Sequence, residues 1–239
     1  MQLWLNVDPL AEKYPSLSPY VYVADNPVNA IDPDGRDIIF VTNKGAQLQY
    51  RKGNFYYLNG DLKGQKYDGR KHSTGSASLY RLAKAYRKIE NSNDKVLKGI
   101  LHQLENSENV HQIQDGTAGR GSKVYKNRNG SAKDYEGDGS VTYYDFSQES
   151  KKSFEERTGI KNSDLSIVTH EMSHQLDEDM GNTSDDQYPN TASDPSEIRA
   201  VNIENRGRKL DKLPSRTKYG GDKIDPKKLE NPPNQKLPK

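Results

Sequence analysis

At 239 residues the chain suffices for one domain of ordinary size with flanking material, but only 31% is hydrophobic, 29% is charged and mean hydropathy is −1.07, so any core must be small and locally concentrated. No apolar run approaches the ~20 residues needed to cross a bilayer, and the lack of cysteine excludes disulfide scaffolds, thiol catalysis and Cys-ligated metal sites. The net charge of +2 hides an asymmetry: residues 205–239 carry +7 and residues 1–204 carry −5, and between Asn162 and Ile198 there are nine acids and no lysine or arginine. A site there attracts cations and repels phosphate backbones, which argues against nucleic acid as substrate.

The opening Met1-Gln2-Leu3-Trp4-Leu5-Asn6 lacks the basic-then-apolar pattern of a secretory signal, so export is expected to depend on something else. Residues 1–37 carry five prolines and the turn dipeptides Asn26-Pro27, Asp32-Pro33 and Asp34-Gly35, and read as the edge of a β-rich body. Asp37–Thr42 is then a good strand. Gln47–Arg51, Asn54–Leu58 and Leu62–Lys66 come next across glycine-containing turns, which predicts a small antiparallel meander. Apolar residues at helical spacing predict helices over 78–89 and 94–104. Strands are expected again at 110–113, 122–125 and 140–146, with the last placed at a sheet edge beside the site, where a peptide could add as a further strand. Two more helices are expected, over 164–180 and 195–209. The stretch 220–239, with four prolines and almost no apolar residues, is expected to be a basic tail, disordered or loosely attached.

The chemistry is concentrated in Thr169-His170-Glu171-Met172-Ser173-His174, an HExxH on a helix that Ser163 or Asp164 can cap and Gly181 can end. Leu165, Val168, Met172 and Leu176 fall within an arc of ~80°, and the two histidines point almost opposite, so one face should pack on the core while the other presents both imidazoles to a cleft. The rings are ~6 Å apart along the axis and ~40° apart around it, so both can reach one ion. Glu171, ~100° round from His170, sits where a general base for activated water belongs.

A catalytic zinc needs a third protein ligand and an open position. Asp177 and Met180 stand where metzincins have Gly and a ligand, which excludes that class. Glu197 fits, in the first turn of a helix opened by Asp194 as cap and Pro195 as first residue; the alternative is a capping-box glutamate bonded back to Asp194. Asp185, in a sequence that loosely echoes the T-x-D-x-x-Y of aspartate-ligated zincins, is the rival ligand. Glu204, two turns beyond Glu197, is too far to share its ion, and is either an acceptor for a ligand histidine's N–H or an i,i+4 partner of Arg208. Tyr219 and Arg216 could serve the oxyanion of a tetrahedral intermediate or belong to an exposed basic loop. His72, His102 and His111 are isolated and are not expected to be ligands.

Asp8–Tyr20 together with Tyr22–Asp37 resembles the end of the Rhs/YD-repeat core of polymorphic toxins. In that family the core is a β-shell that precedes a variable toxin domain, usually countered by an immunity protein; Arg36 stands where the family's self-cleavage segment D-P-x-G-L has leucine. Residues 110–220 resemble effector-type HExxH zinc metallopeptidases delivered by bacterial secretion systems, through Gly119–Ser122 leading towards Tyr143-Tyr144-Asp145, Val168–His174 and Glu197–Arg206. That resemblance implies zinc held by His170, His174 and Glu197, with Glu171 catalytic. Val201 stands where thermolysin-like enzymes place the acid of E-x-x-x-D, so the outer support of the ligands must differ.

The resulting expectation is an α+β, zincin-like fold, with a small antiparallel sheet, an HExxH helix and a later helix that carries a glutamate ligand. It divides into a partial Rhs core (1–37), a zinc metallopeptidase toxin domain (38–219) and a tail (220–239). The protein would act as a zinc-dependent endopeptidase on proteins of a target cell's cytoplasm after secretion or delivery; the alternatives are an Rhs-associated toxin of another class, a nuclease, or a non-enzymatic Rhs-associated module. Its partners would be the protein substrate, a cognate immunity protein and the rest of the core shell, with neither nucleic acid nor membrane insertion. The nine acids suggest a preference for basic residues around the cut.

Overall fold

The computed structural model describes residues 37–69, 76–116, 122–126, 139–182 and 191–238. The chain divides into units 1–36 and 37–239. The Rhs-like segment through Arg36, His72, the Gly119–Gly121 block and Asp185 lie outside the described residues. Among those described, the fold is mixed α/β, with six helices around a mixed six-stranded sheet.

Strands β1 (Asp37–Val41), β2 (Gln47–Arg51) and β3 (Asn54–Tyr57) form the expected antiparallel meander. Its β2–β3 hairpin turns on Lys52 and Gly53, with φ of 45° and 81°, the positive pair that a two-residue turn needs to match the strands' twist. Residues 62–66 are not the expected strand: the chain turns there through Gly64, at φ 79°, and only Lys66 bridges back to Tyr56.

The sheet as a whole is not antiparallel, contrary to expectation. Helices α1 (Ala77–Glu90) and α2 (Lys95–Glu105) lie between β3 and β4 (Val110–Gln114) and return the chain so that β4 runs parallel to β1. Strand β6 (Ser140–Tyr143) is parallel to β4, and β5 (Lys123–Lys126) pairs antiparallel with β6, giving the order β3-β2-β1-β4-β6-β5. Parallel neighbours need long crossovers, and these connections supply them. Strand β6 is therefore interior, not the edge anticipated; β5 ends the described sheet on that side.

Helix α3 (Gln148–Thr158) was not anticipated because only Phe154 is buried and no apolar stripe exists. Its signals are local: Ser147 accepts from the Ser150 N–H, and Gly159 closes it at φ 76°. Helix α4 (Asp164–Asp179) begins at a capping box between Ser163 and Ser166 and is ended near Gly181, at φ 61°. Its apolar side joins the core with Ile38, Phe40, Leu82, Tyr86, Leu101 and Leu104.

The opposite side of α4 is not an open face. Helix α5 (Pro195–Leu210) lies along it, and Ser166, Thr169, Ser173 and Asp177 are buried. Close approach depends on small residues of α5. A Cβ built on Gly207 would lie 2.3 Å from Thr169 Oγ1, with Thr169 itself buried and bonded to Leu165 O. Gly207→Leu is expected to destabilise the fold by about 1–3 kcal/mol or more through overpacking and to push α5 from the histidine helix. A thermal midpoint equal to wild type would contradict this.

The expected loose tail is instead docked. Strands β7 (Lys218–Tyr219) and β8 (Asp222–Lys223) form a hairpin across Gly220 and Gly221, at φ 58° and 100°, and α6 (Pro226–Glu230) comes after it. Ile224 is buried against Ile198 and Val201, and α5 side chains bond main-chain carbonyls: Asn202 to Leu229 and Arg199 to Pro233. Main-chain acceptors met by buried donors order a segment that has few apolar residues. No described helix is long and apolar enough to cross a membrane.

Candidate metal centre

The cap Asp194 accepts from the Ser196 N–H, and with Pro195 it fixes the first turn of α5, from which Glu197 projects toward α4. Glu197 is not bonded back to the cap. Its Oε2 lies 3.3 Å from His170 Nε2 and 3.6 Å from His174 Nε2, while the imidazole centroids are 5.1 Å apart. One ligand atom from each of the three residues falls within 4.8 Å of the others. Ligands ~2.0–2.1 Å from a tetrahedral zinc lie about 3.3–3.4 Å from one another, so the observed spacing is near that of such a site. Glu197 Oε2 is buried and meets the two Nε2 atoms at ion-pair distance without hydrogen-bond geometry, a placement that suits a carboxylate oxygen sharing a cation with both rings. The three side chains thus fit a divalent metal of zinc's type.

Both rings are oriented from behind. His170 Nδ1–H donates to Glu204 Oε2 at 3.1 Å; a carboxylate only accepts, so the proton sits on Nδ1 and Nε2 is left for a metal. Glu204 also accepts from Arg208 at 3.1 Å and Arg216 at 2.7 Å. It therefore fills both roles weighed for it, and supplies the outer acid that Val201 does not. His174 Nδ1 meets Ser196 Oγ at 3.1 Å. This second contact was not anticipated, although Ser196 beside Glu197 was visible as a hydroxyl in the first turn of α5.

The electrostatics match the arrangement. Burial by itself lowers the pKa of both histidines, but the neighbouring carboxylates outweigh it, raising His170 to about 10 through Glu197 and Glu204, and His174 mainly through Glu197. Glu197 is held well below its ordinary range despite burial, by the two imidazoles. In the metal-free protein at neutral pH the His170 ring therefore carries positive charge, with Nε2 as well as Nδ1 protonated, that a metal would replace. Zinc uptake should release a proton, with affinity rising as pH increases toward 10 and His170 loses its Nε2 proton. Calorimetric titration in buffers of different ionisation enthalpy measures this; a heat independent of buffer would contradict it. Burial raises the Glu171 carboxyl, opposed by His170 and His174 and reinforced by Glu197 and Glu204, the direction that suits a proton acceptor and donor near neutrality.

Tyr219 is brought to the centre by the β7–β8 hairpin. Its ring lies parallel to that of His170, 6.2 Å between centroids, and burial, then Glu197, raises its pKa, so the phenol stays protonated. Arg216 is neither an oxyanion donor nor part of an exposed basic loop: it is buried, bonded to Glu204, and its guanidinium lies over the Tyr219 and Phe154 rings at 4.8 and 5.0 Å. It supports rather than reaches a substrate. His111 is wholly buried between Ser140 Oγ and Asp179 Oδ1, and half-exposed His102 pairs with Glu90, so neither belongs to the centre.

At least six of the seven described acids of the 162–198 stretch are engaged inside the fold. Asp164 pairs with Arg81 and Lys151, Asp177 with Arg199, and Asp179 with His111, Ser107 and Gln103, while Asp194 caps α5 and Glu171 and Glu197 face the histidines. Compared with known protein families, curated proteins and solved structures, the chain finds no match, so its functional reading rests on its own residues.

Proposed function

We propose that the protein is a zinc-dependent endopeptidase with a zincin-like active site, a toxin domain behind the end of an Rhs core, delivered to act on proteins in the cytoplasm of a target cell. The observation that carries the hydrolase reading is the convergence of the Glu197 oxygen on two Nε2 atoms whose rings are fixed from behind by Glu204 and Ser196. His170, His174 and Glu197 would hold the metal, which when bound supplies Lewis acidity to a carbonyl and lowers the pKa of water from ~15.7 toward ~7. Glu171 accepts a proton from the attacking water and returns it to the leaving amine. The Tyr219 phenol, kept protonated, is a hydrogen-bond donor at the rim. Strand β5, at the end of the described sheet and in contact with α4, takes the role expected of β6, offering main-chain groups to an extended peptide.

The toxin and delivery elements rest on the Rhs resemblance, as do a cognate immunity protein and the core shell as proposed partners. Expression of the full chain in a bacterial cell, with proteome-wide mapping of new protein N-termini, tests the proposal. New termini should accumulate with wild type and be lost with Glu171→Ala. Equal termini from both, or nicked nucleic acid instead, would reject it.

A further inference from the structure

The buried ion pair Asp177–Arg199 takes no part in the proposed reaction, yet it lies between one ligand and the last described segment of the chain. Arg199 is 1% exposed. Its Nε donates to both Asp177 oxygens, at 3.0 and 3.2 Å, its Nη2 to Asn182 O at 3.2 Å and its Nη1 to Pro233 O at 3.0 Å. Asn182 Nδ2 donates to Asp177 Oδ1 at 3.2 Å and to Asn234 O at 2.9 Å. From Asp177 the path continues through Ser196 Oγ, 3.5 Å from Asp177 Oδ2, to His174 Nδ1 at 3.1 Å.

We infer that residues 232–238 are a strap that positions His174 for the metal, acting through Arg199 and Asn182 on Asp177 and Ser196. The strap spans the helices that carry the ligands: Lys236 Nζ bonds Met180 O just beyond α4, and Gln235 bonds Asn202 on α5. Pro233 and Asn234 contribute main-chain carbonyls, so the device needs the segment's course more than its side chains. Without those carbonyls, a guanidinium N–H and an amide N–H lose their acceptors in a buried setting, a loss that drives the groups to reorient toward water. The Asp177 carboxylate, oriented by those same two groups, turns with them, and Ser196 loses the acceptor that aims its hydroxyl. His170 is held independently, by Glu204 with Arg208 and Arg216, and none of these three bonds the strap in the described contacts. The strap therefore acts on one imidazole of the pair.

The inference rests on reading the triad as a metal centre, and two measurements separate the claims. The full chain, a chain ended after Asn231, Ser196→Ala and the combination of the two changes are compared by imidazole NMR without metal and by competitive titration with zinc against a chromophoric chelator. Ending the chain after Asn231 should shift and broaden the His174 ring signals, leave those of His170 in place, and weaken zinc binding about 10–100-fold. Ser196→Ala should cause a similar loss, and the combination should be no worse than either alone, since both break one path. A synthetic peptide of residues 232–239 added to the shortened chain should restore the His174 signals. Undisturbed His174 signals with wild-type zinc affinity in a folded shortened chain would overturn the inference, as would equal disturbance of both rings with additive losses. If the shortened chain does not fold, Arg199→Lys, which keeps the charge but loses the forked reach to Pro233 O, must reproduce the His174-selective change or the inference fails. A full chain that takes up no zinc defeats the metal-centre reading; the strap then stands or falls on the ring signals.

Discussion

Glu171→Gln should lower kcat/KM for peptide hydrolysis by about 10²–10⁴-fold, while the protein still binds about one zinc per chain. The substitution preserves shape and removes the group that can accept a proton. His170, His174 and Glu197 keep their mutual distances and the outer contacts to Glu204 and Ser196, so metal content should survive. His170→Ala should lose metal and activity together. This contrast separates a general base from a ligand. Loss of zinc in Glu171→Gln would make Glu171 a ligand, and unchanged turnover in a metal-loaded variant would remove it from the reaction. An acid limb of the wild-type pH profile that belongs to Glu171 should vanish from any residual activity of the variant.

Much of this centre could be read from spacing alone, and the reasons are local. The i,i+4 histidines, the Asp194-Pro195 helix start and the position of Glu197 one turn inside it are properties of single helices, whose geometry is fixed by 3.6 residues per turn. What periodicity could not show was how elements associate. The stripe of Leu165, Val168, Met172 and Leu176 identified the core side of α4, but it said nothing of α5 closing over the other side, which depends on Gly207 meeting Thr169. The direction of β4 relative to β1 was equally hidden, because a strand's own residues do not record whether its neighbour arrives parallel. Spacing alone leaves Glu204 with two alternative partners, since its bonds to His170, Arg208 and Arg216 converge only after 161–219 have folded. Composition does not reveal the docking of 222–238, because its order comes from main-chain carbonyls.

Glu204→Ala should cost about 3–5 kcal/mol of folding stability, the penalty of leaving buried charges without their partner, and should weaken zinc binding about 10–100-fold through His170. The carboxylate is 2% exposed, and wholly buried Arg208 and nearly buried Arg216 converge on it at 3.1 and 2.7 Å. Removing it leaves Arg208 with Pro214 O and Lys161 O, and Arg216 with Lys218 O and the two aromatic rings. These contacts satisfy donors but do not neutralise charge. Burial pushes the Glu204 carboxyl up, but Arg216 first, then His170, bring it down to about 2. A carboxyl whose pKa falls on folding stabilises the fold above its unfolded value, near 4.5, and that contribution is lost as pH drops from there toward 2. Wild type should therefore lose stability across that window by more than Glu204→Ala does. Denaturant titrations of both proteins at pH 7 and at pH 3, with zinc affinity measured at pH 7, provide the comparison. Equal stability at pH 7, or identical losses between the two pH values, would show that Glu204 is not the anchor joining the histidine helix to the Tyr219 hairpin. Glu204→Gln keeps one acceptor for Arg208 or His170 and should fall between the two proteins, because it preserves a hydrogen bond while losing the charge that balances two guanidinium groups.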